Sequence, residues 1–146
     1  MSPRLPEDQR AKLFAVAPPA IGDIWLVPKT YVRFPGGKPR RCLVVALEPP
    51  DTPVRVHLIA GTASFGPRPA RIVLDPDENN GLEKKTYFKF QDPVEEFSVL
   101  ELQRLADRIG YASPAAQAQI VPAIMASNLV SLKQLTKGSR SERGQG

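Results

Sequence analysis

Two short segments of the sequence carry residues that suit chemistry on a phosphate group. The first is the glycine-rich, basic stretch Gly36-Gly37-Lys38-Pro39-Arg40-Arg41-Cys42, and the second is the polar stretch Gly61-Thr62-Ala63-Ser64. An arginine presents a planar, permanently charged fork of N–H donors to phosphate oxygens, and a hydroxyl adds a hydrogen bond to charge that develops during reaction. Arg41 and Thr62, brought together, would stabilise a phosphodiester under attack.

An RNA phosphodiester needs little beyond such stabilisation, because the neighbouring 2′-hydroxyl supplies the nucleophile. An arginine keeps its proton at neutral pH, so electrostatic stabilisation and proton donation suit Arg41 better than the role of a base. Each residue also has a simpler interpretation. An arginine at the start of a strand is most often a solvated edge residue, and a Gly-Thr pair at the end of a strand is most often only a turn.

Few residues suit other kinds of catalysis. His57 is the only histidine and Cys42 the only cysteine, so the sequence predicts no metal site and no cofactor. Cys42 belongs to the apolar run 42–47, where a free cysteine is typically a small buried hydrophobe. His57 falls within an alternating strand pattern and is interpreted as structural. Several carboxylates form no ordered pair and are interpreted as solvated: Asp23, Asp92, Glu95 and Glu96.

The charge of the chain favours an anionic partner. Twenty Lys and Arg against fifteen Asp and Glu give a net charge of +5, and basic surfaces attract nucleic acid through long-range attraction and counterion release. The candidate RNA contacts combine the basic first loop with neighbouring polar and aromatic residues: Lys29, Arg33, Lys38, Arg40, Ser64 and Trp25. Trp25 is expected to lie in the core or, at most, to be a half-exposed platform for base stacking.

Short strands must position these residues. From residue 21 onward, short runs rich in β-branched and aromatic residues alternate with Gly and Pro, which is typical of a small barrel or sandwich. An antiparallel hairpin would set the start of one strand beside the end of the next, and so place Arg41 near Thr62 at one rim. Strands are predicted at 24–27, 41–47, 54–60, 70–74 and 84–90.

Helices are predicted toward the C-terminus. A capping-box pattern that begins at Ser98, followed by apolar residues at helical spacing, makes a helix possible between 97 and 109. Ser113-Pro114 is a clearer start signal, since proline costs nothing at the first helical position. Pro122 predicts a kink or a break in the helix that follows. The apolar face of that helix is predicted to be Val121, Met125, Leu129 and Leu132.

The chain is expected to form one domain. Residues 1–20 are predicted to be a flexible arm, residues 21–132 a barrel, and residues 133–146 a disordered basic tail. No run of eighteen apolar residues occurs, and acidic residues stand near the start where a secretory signal would have its apolar stretch. A cytoplasmic location without membrane association is therefore expected.

Five motifs occur in order along the chain. They are Gly22-Asp23-Ile24-Trp25, Arg41-Cys42-Leu43-Val44-Val45, Ile59-Ala60-Gly61-Thr62-Ala63-Ser64, Gly81-Leu82-Glu83-Lys84-Lys85-Thr86-Tyr87 and Arg108-Ile109-Gly110-Tyr111-Ala112-Ser113. Their order and spacing resemble the MazF/PemK family of toxin endoribonucleases, from about Ile21 to Ser127. The chain departs from the family pattern at Cys42, which replaces a proline, in the first loop at 30–35, and in an insertion around 92–96.

The resemblance implies a mainly β fold with α-helices, a small SH3-like (MazF/CcdB-like) barrel with a C-terminal helix. It further implies a homodimer with the RNA site at its interface and an antitoxin protein that occupies the same surface. The family's catalytic arginine corresponds to Arg41 and its catalytic threonine to Thr62, with Arg40 as the fallback if the register slips by one.

The leading hypothesis is a sequence-specific, metal-independent endoribonuclease toxin of a type II toxin-antitoxin system. Such a protein would cleave single-stranded RNA, including mRNA, through a 2′,3′-cyclic phosphate and inhibit growth. The alternative is a barrel of the same fold without catalysis, either a CcdB-like toxin that binds gyrase or a module that binds nucleic acid. The ending Arg143-Gly144-Gln145-Gly146 lacks the Trp-Gly-Ile ending that CcdB-type proteins share, which argues against the gyrase version.

Overall fold

The computed structural model describes residues 18–28, 38–50, 52–63, 70–91 and 93–136. The strands are β1 Asp23–Val27, β2 Arg40–Glu48, β3 Arg55–Thr62, β4 Arg71–Leu74, β5 Thr86–Lys89, β6 Glu95–Ser98 and β7 Asp107–Tyr111. The helices are α1 Val99–Leu105, α2 Pro114–Gln117, α3 Ile120–Ala126 and α4 over residues 130–136. No helix in these ranges is both long enough and apolar enough to cross a bilayer.

The predicted terminal segments fall mostly outside the described ranges. The predicted arm is described only from residue 18, and the predicted tail only as far as residue 136. Residues 133–136 continue α4 past the predicted end of the domain at residue 132.

The strands form a curled antiparallel sheet with β3 at its centre. The order along the sheet is β4-β5-β3-β2-β1-β7, and β6 also pairs with β3. One edge of β3 pairs with β2, while the other edge pairs with β6 over residues 55–58 and with β5 at residues 61–62. Because β3 divides one edge between two partners, the sheet curls into a half-barrel, and the predicted mainly β fold is confirmed.

Side chains of β2 point alternately into two hydrophobic clusters over residues 42–45, and an irregularity between Val44 and Ala46 then directs Ala46 to the same cluster as Val45. Leu43 and Val45 belong to the larger cluster, which the C-terminal helices cover. Cys42 and Val44 belong to the smaller cluster, which contains Trp25 and is covered by α1. A strand buried on both faces is expected to be continuously apolar. The run 42–47 is therefore apolar throughout because helices cover both faces of the sheet at this strand.

The first predicted helix is shorter than expected. Ser98 caps α1 through the predicted reciprocal pair, in which the Glu101 N–H donates to Ser98 Oγ and the Ser98 N–H donates to Glu101 Oε1, each at 3.1 Å. The helix ends at Leu105, and Asp107–Tyr111 instead form β7, which pairs with β1. The expected extension toward residue 109 is wrong because pairing with a distant strand outweighs local helical spacing.

The C-terminal helices break at a different point from the one predicted. Ser113 caps α2, with Pro114 in the first turn, as predicted. The break falls between α2 and α3, so Pro122 lies in the first turn of α3, where its missing N–H costs no helical hydrogen bond. The predicted apolar stripe on one helix is wrong: Leu129 and Leu132 are buried, but they lie between the helices and on α4, while Met125 is half-buried and Val121 is 43% exposed. The buried face of α3 consists of Ile120, Ala123 and Ile124.

An ion pair between Asp23 on β1 and Arg108 on β7 joins the two strands at one end of the sheet. Arg108 Nη2 on β7 donates to Asp23 Oδ1 at 2.9 Å, and the Ala20 N–H donates to Asp23 Oδ2 at 2.7 Å. The interpretation of Asp23 as solvated is wrong, since the residue is 2% exposed, and that of Glu95 is also wrong at 1%. Asp92 lies outside the described residues.

Replacement of Asp23 by Asn is expected to destabilise the fold by about 3 kcal/mol, because the Arg108 charge then loses its buried carboxylate. Chemical denaturation followed by circular dichroism measures the effect. Asp107→Asn, at an exposed position one residue before Arg108, is the matched control and should change the free energy of unfolding by less than about 0.5 kcal/mol. Equal stability of the two variants would contradict the role given to Asp23.

Candidate functional site

A basic groove of about 400 Å³ lies where β2 begins and β3 ends. Its lining includes the cationic side chains of Lys38, Arg40, Arg41 and Lys84, with Glu83 as the acidic residue. Thr62 and Thr86 add hydroxyl groups. A concave surface with this charge balance fits an anionic ligand.

The β2–β3 register explains why these residues meet. Cys42 pairs with Ala60 in this antiparallel ladder, and extending the register sets Arg41 opposite Gly61 and Arg40 opposite Thr62. Arg40 Nη1 accordingly donates to the Gly61 carbonyl at 3.5 Å, which is a long hydrogen bond. The structure therefore brings Arg41 and Thr62 into one groove, with Arg40 directly across from Thr62.

Gly61 allows three strands to approach closely beside Thr62. A Cβ at this position would lie 2.5 Å from Thr86 Cγ2, 2.9 Å from Phe88 Cε1 and 3.0 Å from the Arg41 carbonyl oxygen. These atoms belong to β5 on one side and β2 on the other. A side chain here would push the strands apart and widen the groove.

The guanidinium of Arg41 is only partly accessible. The side chain is 30% exposed, and its Nη2 lies 3.4 Å from Glu83 Oε1. Its Nε is buried and has no hydrogen-bond partner within the described part of the chain. Leaving a buried donor unpaired is costly, whereas a ligand with several oxygens would supply partners to such a group.

The other predicted RNA contacts have different positions. Lys38 is exposed and lines the groove. Trp25 is 0% exposed within the smaller hydrophobic cluster, so its expected place in the core is confirmed and the stacking role is wrong. Lys29, Arg33 and Ser64 lie outside the described residues, and their roles stay predictions.

His57 is remote from this groove. It lies within β3 at 3% exposure, with Nε2 3.1 Å from Glu48 Oε1 and Nδ1 3.2 Å from Glu96 Oε1. These contacts join β2, β3 and β6. The interpretation of His57 as structural agrees with this position.

Glu83 and Lys84 are groove residues that sequence reasoning did not select. Both belong to the segment 81–87, one of the five motifs that resemble the MazF/PemK family. Their place beside Arg41 depends on the β3–β5 pairing of Gly61 with Phe88, a contact between distant parts of the chain. The resemblance was the one signal that pointed to this segment.

No protein-family model matches the chain, and no curated protein matches it. Among solved structures, a chain of the MazE-MazF crystal structure (form II) from Deinococcus radiodurans is similar, with a TM-score of 0.50 and 16% identity. The superposition covers 74% of this chain and 92% of that chain. The chain has the MazF-type fold. The MazF-type barrel with its C-terminal helical segment, expected from the sequence, is thus confirmed.

The buried thiol of Cys42 is expected to be unreactive in the folded protein. Burial, reinforced by the charge of Glu95, raises the pKa of the Cys42 thiol far above its usual range. Since the thiolate is the reactive form, we expect a disulfide reagent at pH 8 to label the folded protein at least about 100-fold more slowly than the denatured protein. Rapid, stoichiometric labelling of the folded chain would contradict this assignment.

Proposed function

We propose that this chain is a metal-independent endoribonuclease that cleaves single-stranded RNA, with Arg41 and Thr62 at the reacting phosphate. The observation that carries the proposal is the basic groove, whose lining includes both the partly buried guanidinium of Arg41 and the hydroxyl of Thr62 at the end of β3. Two further points support the proposal. The fold is of the MazF type, and both predicted catalytic residues, Arg41 and Thr62, line the groove. Lys38 and Arg40 extend the cationic surface along which an RNA strand would lie.

The chemistry follows from these groups. The 2′-hydroxyl oxygen attacks the adjacent phosphorus, and negative charge builds on the non-bridging oxygens. Arg41 donates charged hydrogen bonds to these oxygens and Thr62 adds a neutral one, so both interactions strengthen as the transition state forms. The products are a 2′,3′-cyclic phosphate and a 5′-hydroxyl. Sequence specificity would come from bases held along the basic loop.

The biological role that fits is that of a toxin of a type II toxin-antitoxin system. The similar solved structure is described as a complex of MazE with MazF, and the sequence motifs resemble MazF/PemK toxins. An antitoxin with an acidic segment would suit the basic groove and block access of RNA. A homodimer would bring two such grooves into one assembly, and cleavage of mRNA in the cytoplasm would inhibit growth.

The cleavage proposal predicts distinct effects for groove variants. Purified protein incubated with long RNA in EDTA should give discrete fragments with 5′-hydroxyl ends. Arg41→Ala should lower the cleavage rate by at least about 100-fold, because it removes a charged donor to the transition state, and Thr62→Ala by about 10-fold or more. The same assay with Arg40→Ala shows whether Arg40, the fallback for the catalytic arginine, contributes to cleavage as Arg41 does.

Matched controls for these variants lie outside the groove. Arg55→Ala changes an arginine at the opposite end of β3, and Thr52→Ala changes an exposed threonine in the preceding turn. Both should cleave as the wild type does. Intact RNA with the wild type, or undiminished cleavage by both Arg41→Ala and Thr62→Ala, would end the proposal. Retention of RNA without cut products would favour the non-catalytic alternative.

RNA binding should weaken with salt according to the number of phosphates that the groove neutralises. Lys38→Ala should lower the slope of log affinity against log salt by about 0.7, the value for one contact to a single strand. Fluorescence anisotropy with 2′-O-methyl RNA, which cannot be cleaved, measures this slope. Lys133→Ala, on α4 and outside the groove lining, should leave it unchanged. Equal slopes for both variants would exclude Lys38 from the contact surface.

A further inference from the structure

The described lining of the basic groove includes a carboxylate, that of Glu83. Glu83 precedes β5, its side chain is 83% exposed, and its Oε1 lies 3.4 Å from Arg41 Nη2. Within the described lining of the groove, every other side chain that carries a charge is a lysine or an arginine. Glu83 is therefore the described lining residue whose side chain is of the kind that serves as a general base.

Cleavage through the 2′-hydroxyl requires a proton acceptor close to the phosphate. Lysine and arginine side chains are proton donors and not acceptors in general acid–base catalysis of this kind, and a threonine hydroxyl is a very weak base. His57 is held between two glutamates within β3, away from the groove lining. The sequence segments 29–37 and 64–69, next to these groove residues along the chain, contain no Asp, Glu or His.

The backbone around Glu83 is fixed, although its side chain is exposed. Leu82 is buried, and its N–H donates to Asn80 Oδ1 at 3.0 Å. On the other side, Thr86 is buried, and its Oγ1 donates to the Lys84 carbonyl at 2.9 Å. The carboxylate thus stands on an anchored segment and can swing by changing its rotamer alone.

We infer that Glu83 is the general base of the cleavage reaction, an inference that rests on the function proposed above. A phosphate that binds Arg41 replaces Glu83 as the partner of the guanidinium, and exposed ion pairs are weak enough for this exchange. The released carboxylate then remains within a few ångströms of the bound phosphate, in reach of the adjacent 2′-hydroxyl.

The proton and electron movements balance without a further reagent. Glu83 takes the proton of the 2′-hydroxyl while O2′ forms its bond to phosphorus. The bond between phosphorus and O5′ breaks, its electron pair remains on O5′, and that oxygen takes a proton from water. Glu83 returns its proton to solvent, and the products are the cyclic phosphate and the 5′-hydroxyl end.

Glu83→Gln tests this role because glutamine keeps the size of the side chain and cannot act as the base. At saturating RNA, single-turnover cleavage should fall by about 100-fold or more. Affinity for 2′-O-methyl RNA should stay the same or increase, since a negative charge leaves the groove. The matched control is Glu78→Gln, an exposed position outside the groove lining, which should cleave at the rate of the wild type.

A chemical rescue separates proton transfer from a structural effect. Glu83→Ala should regain at least about 10-fold in rate with added formate, because a free carboxylate can take the vacant place, and should gain nothing from chloride at equal ionic strength. Equal rates in the two salts would overturn the inference. Loss of RNA affinity in Glu83→Gln, or cleavage by that variant close to the wild-type rate, would also overturn it.

These outcomes are distinct from failure of the proposed function. If the wild-type protein leaves RNA intact, the endoribonuclease proposal itself is lost, and the role of Glu83 is lost with it. If the wild type cleaves and only the Glu83 variants behave unexpectedly, the endoribonuclease stands without this base. Because Glu83 is so exposed, thermal unfolding of its variants should match that of the wild type.

Discussion

The antiparallel pairing of β2 with β3 is the constraint on which the rest of the structure depends. It brings the start of one strand to the end of the next, and it sets which residues of β2 face each hydrophobic cluster. A slip of one residue in the pairing would exchange the two faces of β2. Each apolar side chain of the strand would then point toward the other hydrophobic cluster. The same slip would set another residue of β3 beside the Arg41 carbonyl oxygen, which lies 3.0 Å from where a Cβ of Gly61 would be. Core packing and groove geometry therefore require one register.

Local sequence signals were sufficient for much of this arrangement. Apolar runs bounded by Gly and Pro predicted β2 and β3, and an ordinary hairpin geometry then brought positions 41 and 62 to one rim. The caps at Ser98 and Ser113 were also correct, because a cap depends on a few adjacent residues. Each of these features is set by residues that lie near one another along the chain, so the sequence alone is enough to predict it.

Features that depend on distant contacts were missed or misread. Asp23 is buried because Arg108 reaches it from β7, and the end of the predicted helix became β7 because β1 was available to pair with it. Glu83 enters the groove through the pairing of β5 with β3. In each case the decisive partner lies far along the chain, and no local period or motif identifies it.

The division of the interior into two clusters has a consequence for how this protein can vary over evolution. Substitutions beneath the C-terminal helices and substitutions beneath α1 are separated by the sheet, so each set can drift without compensation in the other. β1, β2 and β3 contribute to both sets and have no such freedom. Related chains that have diverged almost everywhere should therefore remain most alike along these three strands, and searches for distant relatives would do best to weight them.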